Sequence, residues 1–115
     1  MKQRKIKIQG HDWTIKTSKY ILDDKDGFTD WTSKTIILNN FNKILEEEDR
    51  EDLVEHFNIL EAKVIRHELF HAFLYECGLG SNFEHCNKFG HEETIIDWFS
   101  YIYPEYKKVC DELGV

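Results

Sequence analysis

Proline, cysteine and long apolar runs are all scarce in this sequence. Proline occurs once in 115 residues, at Pro104, and no Gly/Ser-rich stretch marks a linker between domains. No apolar run approaches the roughly 20 residues that a membrane-spanning helix requires. We therefore expect one domain covering residues 1–115 and no membrane partner.

Cysteines and basic residues are also few. Cys77, Cys86 and Cys110 are odd in number and irregularly spaced, whereas a secreted disulfide framework normally has at least about four cysteines in even count. We therefore expect reduced thiols in a cytoplasmic protein. The 15 Lys and Arg against 22 Asp and Glu give a formal net charge of −7. Because nucleic-acid binding depends on clustered basic side chains, we expect no nucleic-acid partner.

The first forty residues alternate apolar and polar side chains, as β-strands do. Two alternating segments, one containing Ile6 and the other Trp13, flank a turn at Gly10. A loop rich in turn formers then precedes two further apolar segments, residues 28–31 and 35–38. The pattern predicts a small antiparallel sheet of three or four strands. Residues 35–38 are a candidate edge strand, onto which an extended peptide substrate would add.

From about Asp49 onward the apolar spacing becomes helical. One helical face carries Leu60, Val64, His67, His71 and Leu74, at spacings of four and three. A second apolar face predicts that this helix is buried at the centre of the domain, and Gly78 is expected to end it. Further helices are expected at 81–90 and 91–103, the second ended or kinked by Pro104. Strands followed by helices predict an α+β domain.

Residues 67–71 read His-Glu-Leu-Phe-His, an H-E-x-x-H sequence inside the predicted central helix. Histidines four residues apart project from the same side of a helix, so both imidazoles can ligate one ion at about 2.0–2.1 Å. Glu68 flanks the pair and is expected to take a proton from a metal-bound water. The sequence therefore predicts a hydrolase for peptide bonds, with Zn2+ bound by His67 and His71 and with Glu68 as catalytic base.

A catalytic zinc site needs a third protein ligand. The metzincin spacing would place a histidine six residues after His71, where this chain has Cys77. Glu93 is the favoured third ligand, because Asp97 lies one helical turn later and can hydrogen-bond the outer nitrogen of a ligand histidine. The alternatives that stay open are Glu92, His91 and His85.

The combination of His67-Glu68-x-x-His71 with Glu93-x-x-x-Asp97 resembles the gluzincin pattern. The likeness is to minimal gluzincins of the ImmA/IrrE kind, which include small proteins of phages and mobile elements, and it covers roughly residues 27–104. It implies a zincin-like fold in which a short antiparallel sheet precedes the motif helix. It also implies a zinc metallopeptidase acting on a protein or peptide substrate, with Glu93 as zinc ligand and Asp97 supporting a ligand histidine.

Two other functions stay open at this point. The small size and the lack of an obvious specificity domain also suit a zinc-stabilised adaptor or inhibitor with little or no turnover. A zinc-free structural domain would use the two histidines in packing alone. Zinc content separates this last possibility from the others, and a Glu68→Gln variant separates peptidase from adaptor.

Overall fold

The computed structural model describes residues 3–80 and 93–115, with the side chains at 93, 94, 96, 97 and 100 outside that description. Strands come first and helices follow, which confirms the α+β prediction. The elements are β1 (Arg4–Ile8), β2 (His11–Thr17), β3 (Gly27–Asp30), β4 (Thr35–Leu38), α1 (Phe41–Glu48), a 3-10 turn (Glu51–Leu53), α2 (Val54–Glu76) and α3 (Glu93–Leu113). The short helix predicted at 81–90 lies outside the described residues.

The sheet is mixed, so the prediction of a purely antiparallel sheet is wrong. Its strand order is β1-β2-β4-β3, with antiparallel outer pairs and a parallel central pair in which Thr14 lies opposite Thr35. β4 is therefore a central strand and β3 an edge strand, which corrects the expectation that residues 35–38 form the edge. The sequence Thr-Ile-Ile-Leu suits the centre, because a central strand has a neighbour on each side and three of the four residues of β4 are buried.

The first hairpin forms as the alternation predicted. Gln9 and Gly10 both have positive φ angles, 50° and 80°. Two consecutive left-handed residues are typical of the type I′ turn, whose twist matches that of the flanking strands. Ile8 therefore pairs with His11, and the inward-facing side chains of both strands are buried.

One face of the sheet packs against α2, and α3 completes the core. The buried apolar residues are Ile6, Ile8, Trp13, Ile15, Ile36, Leu38, Phe41, Val64, Ile65, Leu69, Ala72, Phe73, Ile102, Val109, Cys110 and Leu113. Each large aliphatic side chain buried in this way contributes about 1.5–3 kcal/mol to folding. The core fixes the rotation of α2 and so determines which of its side chains face solvent.

α2 ends at Glu76, and Gly78 caps it in the left-handed conformation, as predicted. Gly78 has a φ of 78°, and its N–H donates to the carbonyl of Tyr75 at 3.0 Å. The N–H of Leu79 donates to the carbonyl of Leu74 at 2.8 Å. These two bonds define a Schellman motif, which satisfies carbonyls that the last helical turn leaves free.

Two helical segments differ from the sequence analysis. α1 lies before the predicted helical region, and the Asn40 side chain caps it by accepting from the N–H of Lys43 at 3.0 Å. α3 continues through Pro104 to Leu113, so of the two expectations for Pro104, an end or a kink, the end is wrong. A proline inside a helix costs about 3 kcal/mol, which burial of Ile102 and Val109 on either side offsets.

Among the helices that the structure describes, none is both long enough and apolar enough to cross a lipid bilayer.

Candidate functional site

Residues 67–71 lie in the C-terminal half of α2, where this helix packs against the edge strand β3. The imidazoles of His67 and His71 face solvent, and the intervening Glu68 points towards β3 and is buried. Two exposed imidazoles and one buried carboxylate therefore lie within five consecutive positions of one helix.

The two imidazoles are close enough to bind a single ion. Their Nε2 atoms are 3.3 Å apart and the ring planes are inclined by 72°. Two nitrogens that share a tetrahedral zinc ion at about 2.0–2.1 Å lie roughly 3.3–3.4 Å apart. A typical N–H hydrogen bond is shorter, about 2.9–3.0 Å. The spacing of the His67 and His71 nitrogens is therefore compatible with a shared zinc ion, and it is also within reach of a long direct hydrogen bond between the rings.

Glu68 lies beside the imidazole pair. Glu68 as a whole is 7% exposed, and its Oε2 accepts a hydrogen bond from the Thr29 hydroxyl at 2.7 Å. Its Oε1 lies 4.0 Å from Nε2 of His67. One carboxylate oxygen is thus bound to the sheet, while the other lies near the imidazoles, where a general base would be needed.

Gly27 allows β3 to approach α2 closely enough for this contact. A Cβ atom at Gly27 would lie 2.9 Å from Cγ1 of Val64 and 3.0 Å from the carbonyl oxygen of Ile37. Both distances are shorter than carbon contacts normally allow. The strand can therefore lie beside Glu68 only because this position has no side chain.

The loop before β3 is held by Asn39, a buried polar residue at the end of β4. Its Oδ1 accepts from the N–H of Leu22 at 2.8 Å, and its Nδ2 donates to the carbonyl of Lys25 at 3.1 Å. The backbone N–H of Asn39 also donates to Asp26 at 2.8 Å. These bonds connect main-chain groups of the loop to a buried residue of the sheet, and they fix where β3 begins.

The described residues form three clefts that adjoin the two histidines. A cleft of about 330 Å³ lies between β3 and His71, and another of about 260 Å³ lies between Gly27 and His67. The third, about 490 Å³, is mainly apolar and lies between α2 and α3, where Phe70 and Phe99 line it. Space for an extended chain is therefore present on more than one side of the imidazoles.

Tyr106 fixes one wall of the apolar cleft. Its hydroxyl donates to the carbonyl of Arg66 at 2.7 Å. Burial, reinforced by the neighbouring Cys110 thiol, raises the pKa of this phenol well above its ordinary value. The neutral hydroxyl form of Tyr106 is therefore favoured, and its hydrogen bond ties α3 to α2 next to the histidines.

The predicted third ligand remains a prediction. Glu93 is the first residue of α3, but its side chain and that of Asp97 are outside the description. The alternatives Glu92, His91 and His85 also lie outside the described residues. Among the side chains that the structure describes, no group of three His, Cys, Asp or Glu is placed to hold a metal ion. The structure brings together His67, Glu68 and His71 and leaves the remaining ligand untested.

Cys77 is half-buried at the C-cap of α2. Its thiol is free, as is the thiol of the buried Cys110. Free thiols at these positions agree with the expectation of reduced cysteines for the two that are described.

Glu76 has a role that the sequence did not indicate. Its side chain is 5% exposed. Its Oε1 accepts a hydrogen bond from Nε1 of Trp13 at 3.1 Å and another from the ammonium of Lys34. Its Oε2 lies 3.3 Å from Nε2 of His11. These partners come from β2 and the β3–β4 turn, so no local pattern could reveal them. The cluster attaches the last turn of α2 to the sheet, one and a half turns beyond His71.

Comparison with protein-family models, with curated proteins and with solved structures gives no significant match.

Proposed function

We propose that this chain is a zinc-dependent peptidase of the minimal gluzincin type, with a zincin-like fold. His67, His71 and Glu93 bind the metal, Glu68 is the general base, and Asp97 orients a ligand histidine. The observation that carries the proposal is the 3.3 Å separation of two solvent-facing Nε2 atoms with the Glu68 carboxylate beside them. Zinc fits this donor set because neutral imidazole nitrogen is among its preferred ligands.

The residues divide the chemistry of hydrolysis between them. When bound, zinc supplies Lewis acidity that lowers the pKa of a water molecule to about 7. Glu68 accepts a proton from that water while the water oxygen attacks the peptide carbonyl. Glu68 then passes the proton to the leaving amine. Burial against β3 limits the motion of the Glu68 side chain, so it needs little reorganisation to reach the reacting atoms.

The edge strand β3 is the place where an extended substrate would bind. Within the described residues β3 pairs only with β4, and its other edge adjoins the cleft beside His71. An extended peptide can add to such an edge through main-chain hydrogen bonds, which hold the chain without selecting its sequence. The expected substrate is therefore a loosely folded protein or a peptide.

Zinc content tests the proposal most directly. Protein purified without a nickel column should contain about one zinc per chain, because two histidines and one carboxylate complete a catalytic site. Chelation should stop cleavage of labelled casein, and added zinc should restore it. Protein that contains no zinc as purified, and whose stability does not change when a chelator is added, would contradict the proposal. A zinc-free structural domain would then be the remaining function. One zinc per chain without cleavage of any peptide would favour an adaptor.

A matched pair of variants tests the third ligand. Glu93→Ala should weaken zinc affinity by more than about 100-fold, since it removes a metal ligand, whereas even outer contacts of such sites are worth about 10- to 100-fold. Glu92→Ala, the same change one residue earlier, should leave the affinity within a few-fold of wild type. Competition with a chromogenic chelator measures both. The reverse ranking would transfer the ligand role to Glu92.

A further inference from the structure

The hydroxyl of Thr29 lies between two oxygen atoms of Glu68. Its Oγ1 is 2.7 Å from the side-chain Oε2 and 3.1 Å from the backbone carbonyl oxygen. A threonine hydroxyl has one hydrogen to donate. The backbone carbonyl is inside α2, where it accepts a helical N–H, while the carboxylate is the closer and more strongly charged acceptor. The hydroxyl hydrogen is therefore directed at Oε2.

This contact distinguishes the two oxygens of Glu68. Oε2 is fixed to the sheet, whereas Oε1 lies 4.0 Å from Nε2 of His67. We propose that Thr29 is a positioning residue that binds Oε2 and so presents Oε1 to the water that Glu68 deprotonates. The inference rests on the proposed function, since it assigns Thr29 a role only if Glu68 acts as general base.

The framework around Thr29 is rigid enough to support such a role. Thr29 pairs with Ile36 of the central strand β4, and a β-branched side chain has few χ1 rotamers. Two residues earlier in β3, Gly27 brings the strand into close contact with α2. The position of the hydroxyl is therefore set by the sheet, and the Glu68 carboxylate is held relative to it.

Two substitutions at Thr29 test the inference. Thr29→Val keeps the shape and removes the hydroxyl, and its kcat should fall about 10- to 100-fold, the usual effect of losing a contact that orients such a site. KM on a quenched fluorescent peptide should stay within about 2-fold of wild type. Thr29→Ser keeps the hydroxyl and should recover most of kcat. Zinc affinity should be unchanged in both variants.

Thr35→Val is the matched control. Thr35 lies on the neighbouring strand, and its hydroxyl donates to the carbonyl of Ser33 at 3.1 Å and not to Glu68. The same chemical change there should leave kcat within about 2-fold of wild type, as expected away from the site. An equal loss of kcat in Thr35→Val would show a general effect on the sheet and would overturn the inference. Equal losses in Thr29→Ser and Thr29→Val would overturn it too.

Urea unfolding of the metal-free protein gives a readout independent of activity. Thr29→Val should lower the urea midpoint when Glu68 is present and lower it less in a Glu68→Ala background, because the hydroxyl then has no carboxylate to bind. An equal shift of the urea midpoint in both backgrounds would show that Thr29 does not bind the Glu68 carboxylate, and it would overturn the inference. Active wild type with unimpaired Thr29→Val refutes this inference alone, whereas inactive zinc-loaded wild type refutes the proposed function and the inference with it.

Discussion

Replacing Glu68 with glutamine is expected to abolish peptide cleavage while leaving zinc bound. The amide keeps the volume of the side chain and can still accept the hydrogen of Thr29, but it cannot take a proton from water. General bases of this kind contribute about 10²- to 10⁴-fold to the rate. The initial rate on labelled casein should fall by that factor, and zinc content should stay at the wild-type level.

Glu55→Gln provides the control for this experiment. Glu55 is exposed in the first turn of α2, far along the helix from the histidines, so the same substitution there should change neither rate nor zinc content. A fully active Glu68→Gln variant would exclude Glu68 as the base. If wild type and Glu68→Gln both bind zinc and are equally inert, the adaptor function would be favoured instead.

Replacing Glu76 with alanine is expected to lower the free energy of unfolding by about 2–4 kcal/mol. The substitution leaves the indole N–H of the buried Trp13 and the ammonium of Lys34 without their shared carboxylate. Removing one partner of a buried ion pair costs about 3–5 kcal/mol, and the partial exposure of Lys34 reduces that loss. Urea denaturation monitored by tryptophan fluorescence and circular dichroism measures the change.

Two comparisons limit the interpretation of the Glu76 result. Glu47→Ala changes an exposed glutamate of α1 and should alter stability by less than about 0.5 kcal/mol. Glu76→Gln keeps an acceptor for Trp13 and should lose less stability than Glu76→Ala. A Glu76→Ala variant as stable as Glu47→Ala would show that the carboxylate does not stabilise the contact between α2 and the sheet.

Elements defined by local signals were predictable from the sequence. Alternation around Ile6 and Trp13 identified the first hairpin, since a half-buried strand places successive side chains on opposite faces. Gly78 identified the end of α2 because few other residues adopt positive φ at low cost. In both cases the determining interactions join residues close together in the chain.

The order of the strands was not predictable in this way. Alternation shows that a segment is a strand but not which strand lies beside it, and the parallel pairing of β2 with β4 depends on the core as a whole. α1 did carry a usable signal. Asn40 followed by Phe41, Ile44 and Leu45 has the cap and the apolar spacing of a short amphipathic helix.

In the candidate site, too, the local features were predictable from the sequence and the long-range contacts were not. The spacing of His67 and His71 could be read from sequence, because a helix fixes the positions of residues four apart. Thr29 and Glu68 are 39 residues apart, and Trp13 and Glu76 are 63 apart. Such contacts follow from how β3 and β2 dock onto α2, which no local pattern encodes.

The missing side chain at Gly27 limits how this protein can be engineered. Exchanging a strand glycine for valine or threonine is a common route to greater thermal resistance, since glycine weakens strands. Here a branched replacement would collide with Val64 and with the main chain of β4, and relief would require moving the helix that carries both imidazoles. A substitution made here to raise thermal stability would therefore disturb the spacing of His67 and His71, and with it the proposed metal site.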